Sequence, residues 1–314
     1  MSDFLLQVTG LKKSLRSSWA FSSRPILKGI DFNISRGEIF GFLGRNGAGK
    51  TTTIKTILGL VLKDTGEILF EGKPLELPNN LSDIGYLPEL PYFYNHLTVE
   101  ETLSFFSSLA LNQSESSIKS RVREILELVG LKERAKSKVI SLSKGLQQRL
   151  GLAQAIVNKP KLLILDEPFS GLDPVGRAEF REIFLNLNQQ GSTIFISSHI
   201  LSDVQSLCHS VSILAAGVVK RSFSLAQRAE LFGEQMTLTI QTVQPLEPAI
   251  GIKAKSNRKT PDGFEWRYFF NNPEEATTGL REALNLQDSK AIKILNYQSE
   301  PRSLEEIFLE VTKE

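Results

Sequence analysis

One cysteine, Cys208, in 314 residues excludes an intramolecular disulfide. The chain therefore reads as suited to a reducing compartment, with Cys208 expected as a small buried hydrophobe. Charge of one sign is also scarce: 37 Lys and Arg against 35 Asp and Glu leave a formal +2. A nucleic-acid binder normally carries a concentrated basic face, so no nucleic-acid partner is expected. No stretch approaches the roughly 20 apolar residues of a membrane helix. Residues 1–10 lack a basic segment leading into an apolar run, so they do not read as a signal peptide. The expectation is a soluble chain, or one held at a membrane only by a partner. There is no internal repeat and no low-complexity tract.

What is present is enough apolar residue, 41%, for a sheet buried on both faces. Residues 8–11, 30–34, 38–43 and 67–70 read as short strands and 52–60 as a helix. Thr98 and Glu101 form a capping box that opens a helical stretch running to about 157. Strand signals return at 162–165 and 193–197, with a helix over about 174–190 between them. This alternation implies a parallel sheet covered by helices. Near residue 222 the pattern changes. Met236, Leu238 and Ile240 alternate with polar residues, as do Phe264, Trp266, Tyr268 and Phe270. Ile292 and Ile294 suggest a third strand. Residues 274–286 and 303–312 read as helices, the second with a capping box at Ser303 and Glu306. Polar stretches such as 256–263 are expected to be loops. The division is an α/β domain over 1–221, with a helical subdomain at about 90–160, and an α+β accessory domain over 222–314.

Gly44-Arg45-Asn46-Gly47-Ala48-Gly49-Lys50-Thr51 fits G-x-x-x-x-G-K-[ST] between an apolar strand and a helix. Glycines let the backbone curl around a polyphosphate, and successive N–H groups at the helix N-terminus face its charge. Lys50 reaches the β and γ phosphates, the Thr51 hydroxyl ligates Mg²⁺, and Thr52 adds an α-phosphate contact. ATP and Mg²⁺ are the expected cofactors, although kinases, GTPases and helicases share this motif. The apolar run at 162–165 ends in Asp166 and Glu167. Asp166 suits Mg²⁺, and Glu167, one residue on, suits a general base that polarises water. His199 ends another apolar run, in a strand expected beside the other two.

Leu142-Ser143-Lys144-Gly145-Leu146-Gln147-Gln148-Arg149 resembles the signature motif, usually LSGGQ and a basic stretch, of the nucleotide-binding subunits of ATP-binding cassette (ABC) transporters. Residues 165–168 resemble the family's second acidic motif. Ser170-Gly171-Leu172-Asp173 resembles its D-loop, and Ser198-His199 its switch histidine. The resemblance covers roughly 5–220. It implies a RecA-like phosphate-loop core with antiparallel β and helical subdomains. It also implies ATP hydrolysis in a head-to-tail dimer, in which Ser143, Lys144, Gly145 and Asp173 of one chain close on ATP held by another. The partner is expected to be a second copy of this chain. Lys144 replaces the first signature glycine and Leu146 the glutamine, while the Ser143 hydroxyl and backbone donors survive. Glu89 stands where a glutamine normally contacts Mg²⁺, and a carboxylate can still ligate it. Phe21, with Trp19 as its rival, is the expected adenine-stacking ring. Residues 84–89, 97–103 and 303–308 resemble bacterial ABC-2-type exporters. That implies a separate integral-membrane permease and a position on the cytoplasmic face of the inner membrane. The alternative is a soluble ABC ATPase not coupled to transport.

Overall fold

The computed structural model describes residues 4–16, 23–110, 114–226, 236–245, 256–288, 293–301 and 304–313. They fall into two compact units, Met1–Leu225 and Ala226–Glu314. The first holds two sheets. Strands β1 (Phe4–Arg16) and β2 (Ser23–Ser35) form a long antiparallel pair, extended by β4 (Thr65–Phe70) and β5 (Lys73–Pro74). The second sheet has the order β10-β9-β3-β8-β7-β6. Its members are β3 (Ile39–Gly44), β6 (Ile84–Leu87), β7 (Leu162–Asp166), β8 (Thr193–Ser198), β9 (Ser210–Ala215) and β10 (Val218–Ser224). All its pairings are parallel except β9 with β10. Every residue of β3, β7 and β8 is buried, as continuous apolar runs in a covered parallel sheet should be. Phe32 of β2 stacks on Phe40 of β3 at 5.3 Å between centroids, and Phe42 and Phe195 complete the cluster, so the two sheets share one core.

Helices α1 (Lys50–Ile57), α5 (Pro174–Gln189) and α6 (Leu201–Leu207) pack on the parallel sheet. Helices α2 (Val99–Ala110), α3 (Glu115–Leu128) and α4 (Lys144–Ala155) form a helical cluster, with α4 resting on β6. The capping box opening α2 is formed in both directions: Glu101 Oε2 accepts from Thr98 N and Thr98 Oγ1 from Glu101 N. Cys208 is buried, and burial pushes its thiol pKa up.

The second unit is a four-stranded antiparallel sheet, β12-β13-β11-β14, covered by α7 (Pro273–Asp288). Its strands are β11 (Met236–Thr242), β12 (Ser256–Thr260), β13 (Gly263–Phe270) and β14 (Ile294–Pro301). Leu238, Ile240, Trp266, Tyr268 and Phe270 meet Ala276 and Ala283 in its core. Helix α8 (Leu304–Lys313) buries Leu304, Ile307 and Phe308. Ser303, expected to cap it, and Ile292 lie outside the described residues. One expectation is corrected here. Residues 256–260, read as loop, are the edge strand β12, paired with β13 from Ser256↔Arg267 to Thr260↔Gly263. An all-polar edge strand has no apolar alternation to reveal it. Backbone pairing and the ion pair of Arg258 with Glu265 (3.0 Å) hold it instead.

Candidate functional site

Gly44 ends β3 and Lys50 opens α1, so residues 45–49 form a loop at the C-terminal end of the parallel sheet. Gly47 and Gly49 adopt φ of 81° and 115°, a region that favours glycine. Gly49 precedes the helix and supplies no side-chain cap. The first-turn N–H groups of α1 are therefore available to an anion. Lys50 curls back so that Nζ donates to the Gly44 carbonyl at 2.7 Å. That nitrogen also stands 3.0 Å from Glu167 Oε1, with both side chains less than 10% exposed.

Parallel pairing of β7 with β8 brings the two acidic residues beside Ser197 and His199. Ser197 Oγ donates to Asp166 Oδ1 at 2.6 Å and accepts from Glu167 N at 3.1 Å. Glu167 follows the last residue of β7 with a φ of 50°. His199 Nδ1 lies 2.8 Å from Glu167 Oε2. Glu167 Oε1 is buried and accepts no hydrogen bond, because Lys50 approaches at charge-contact distance but off the bonding direction. The Tyr86 phenol, next to the site on β6, is pushed up to about 12 by burial and then by the charge of Asp166.

A cavity of about 380 Å³ is lined by Ile26, Asn46, Gly47, Gly49, Lys50, Thr51, Thr52, Glu89, Glu167 and His199. The structure thus brings together the loop, Glu89 and the Glu167–His199 pair. Gly44 and Asp166, at the ends of β3 and β7, and Arg45 and Ala48, in the loop, do not line the cavity. Nor do Ser143, Lys144, Gly145 and Asp173. They line a separate cavity of about 430 Å³ that shares no residue with the first. Ser143 caps α4, its Oγ accepting from Leu146 N at 3.4 Å, and Asp173 caps α5, accepting from Gly176 N at 2.7 Å. Phe21 and Trp19 lie outside the described residues. Two contributors carried no sequence signal: Ile26, one apolar residue in a hairpin strand, and Ser197, one hydroxyl in an apolar run.

The residues fit a nucleotide and its metal. A basic Lys50, a curled glycine backbone and an uncapped helix start make an anion cradle. Among the described residues no three His, Cys, Asp or Glu side chains cluster as a metal cage. Mg²⁺ does not ask for one, since it takes one or two carboxylates, phosphate oxygens and waters.

A family model described as ABC transporter matches residues 27–170. An uncharacterized ABC transporter ATP-binding protein of Nostoc sp. is 41% identical over 240 residues, 76% of this chain and 70% of that protein. The linearmycin resistance ATP-binding protein of Bacillus subtilis is 33% identical over 317 residues, 98% of each chain. Among solved structures, an ATP binding subunit of an ABC transporter superposes with a TM-score of 0.64 at 33% identity, covering 73% of this chain and 93% of that one.

Proposed function

The chain belongs to the ABC transporter ATP-binding family, and on that premise we propose that it is the ATP-hydrolysing motor of an ABC-2-type exporter. It works as a head-to-tail dimer of two copies coupled to a separate permease. The observation that carries the catalytic part is Glu167, held between Lys50 and His199 on the wall of the phosphate-loop cavity.

In this reading the N–H groups of 45–52 and the Lys50 ammonium bind the polyphosphate. Thr51, Asp166 and Glu89 would hold Mg²⁺, which would supply positive charge to the bound polyphosphate. Without phosphate, Lys50 has the Glu167 carboxylate as its counter-ion. Polyphosphate supplies a stronger one and frees Oε1 to accept the proton of the attacking water. His199 orients that carboxylate through the other oxygen. Ser143, Lys144, Gly145 and Asp173, grouped at a second cavity of the same chain, serve the nucleotide of the other copy. Residues 1–221 are assigned to this nucleotide domain and 222–314 to an accessory domain.

Export is supported by the resistance function named for the B. subtilis relative. Coupling to a permease is supported by apolar side chains that follow Glu89. Leu90, Tyr92, Tyr94, Phe105 and Leu109 are 67%, 88%, 52%, 42% and 70% exposed, and Tyr94 packs edge-on against Phe105. No described helix is long and apolar enough to cross a membrane, so the permease is what would hold the chain at the cytoplasmic face.

Glu167→Gln tests the reading. Turnover is expected to fall at least about a hundredfold, while ATP still binds and drives the chain to twice its mass. Phosphate release and analytical ultracentrifugation are the measurements. Normal turnover in this variant would remove Glu167 as general base.

A further inference from the structure

Two arginines and one aspartate lie outside the machinery assigned above. Arg177 and Arg181 stand four residues apart on α5, so they share a face. Both approach Asp203 in the first turn of α6: Arg177 Nη1 is 3.6 Å from Oδ2, and Arg181 Nη2 is 3.7 Å from Oδ1. These are charge contacts, too long for hydrogen bonds. Asp203 is 3% exposed, yet its Oδ2 and the Nε of Arg181 are buried without any hydrogen-bond partner. Burial raises the Asp203 carboxyl pKa and the two arginines oppose this, with Glu167 and His199 also within its field. A buried ion group so poorly bonded contributes little stability over an apolar packing of the same shape. A positional role explains it better.

The positions it joins are both near the reaction. Arg177 Nε donates to the Leu172 carbonyl at 3.3 Å, in the loop that ends at Asp173. Helix α6 starts two residues after His199. Building on the roles given above to Glu167 and His199, we propose that Asp203 is a positioning residue. Through Arg177 it ties the Leu172 carbonyl to the start of α6, and so sets the His199 ring against Glu167. A shift of the 170–173 loop is then passed to the histidine through the arginine–aspartate contact. The same contact passes a histidine shift back to the loop.

The chain has three histidines, His96, His199 and His209, so ring resonances can be assigned by substitution. In the nucleotide-free protein, Asp203→Asn and Arg177→Gln are each expected to move the His199 resonance and leave that of His96 in place. Turnover at saturating ATP should fall roughly ten- to a hundredfold in each, with ATP affinity held within about twofold. The double variant should be no slower than the slower single one, because both act through one contact. A His199 resonance unmoved in both variants overturns the assignment. So do turnover losses that multiply, or a joint loss of ATP affinity and melting temperature. If Asp203→Asn does not fold, Arg177→Gln, whose side chain is 32% exposed, carries both measurements. Full turnover in Glu167→Gln would sink the general-base reading alone; the histidine resonance decides this one separately.

Discussion

Ser197 joins the two acidic residues at the end of β7 with a single hydroxyl. It donates to Asp166 and accepts from the Glu167 amide, and both carboxylates are buried. Ser197→Ala leaves Asp166 short of a donor in a place water barely reaches. The expected cost is about 1–3 kcal/mol of stability, with slower turnover because Glu167 loses an anchor. Thermal unfolding and phosphate release measure the two effects, and an unchanged melting temperature would mean that Asp166 is satisfied without the hydroxyl. At this scale the sequence marked residues of fixed type and spacing that the fold gathers in one place: Gly47, Gly49, Lys50 and Glu167 line one cavity, and Asp166 ends the strand beside it. Ser197 was not legible, because one hydroxyl in an apolar strand looks like filler until β7 and β8 pair.

Strands and helices with strong periodicity were legible as elements; those held by pairing alone were not. Residues 162–165 and 193–197 became β7 and β8 nearly as read, since apolar runs between breakers have few alternatives. Expected strands at 8–11 and 30–34 grew to 13 residues each, because cross-strand hydrogen bonds extend a hairpin past its apolar core. Glu71 shows how such elements are tied together. It accepts from Arg36, in the turn between β2 and β3, at 2.9 Å, and from Lys161, just before β7, at 3.0 Å. Those bonds, Lys161 first, hold its carboxyl below the ordinary value of 4.5. A lowered carboxyl stabilises the fold above its unfolded value, and that contribution is lost as pH falls through the folded one. Glu71→Gln should therefore cost less than about 1 kcal/mol at neutral pH, because the pairs are partly exposed. It should also flatten the stability decline below about pH 5. Urea titrations across pH test this, and an unchanged acid limb would assign the decline to other carboxylates.

Among the described residues the first unit carries the phosphate-loop cavity and, elsewhere on the same unit, a second cavity built on Ser143 and Asp173. No spacing in the sequence separates these two groups. Only the resemblance to ABC subunits led us to read them as halves of a site completed by another chain. Ser143→Asp discriminates that reading from one in which the signature serves its own nucleotide. Aspartate caps a helix as well as serine does, and a negative charge at that end suits the helix dipole. Helix α4 and the melting temperature should therefore be preserved. The new carboxylate would stand where a phosphate of the other copy must approach, and two anions at hydrogen-bond distance repel strongly in a closed seam. In the Glu167→Gln background, Ser143→Asp should leave ATP affinity of the single chain within about threefold and abolish ATP-driven doubling of mass. Raised salt should restore part of the association, since screening weakens the repulsion. Equilibrium dialysis and sedimentation read the two quantities independently. Loss of ATP affinity in the single chain would place the signature at its own nucleotide, and the head-to-tail reading would have to be abandoned.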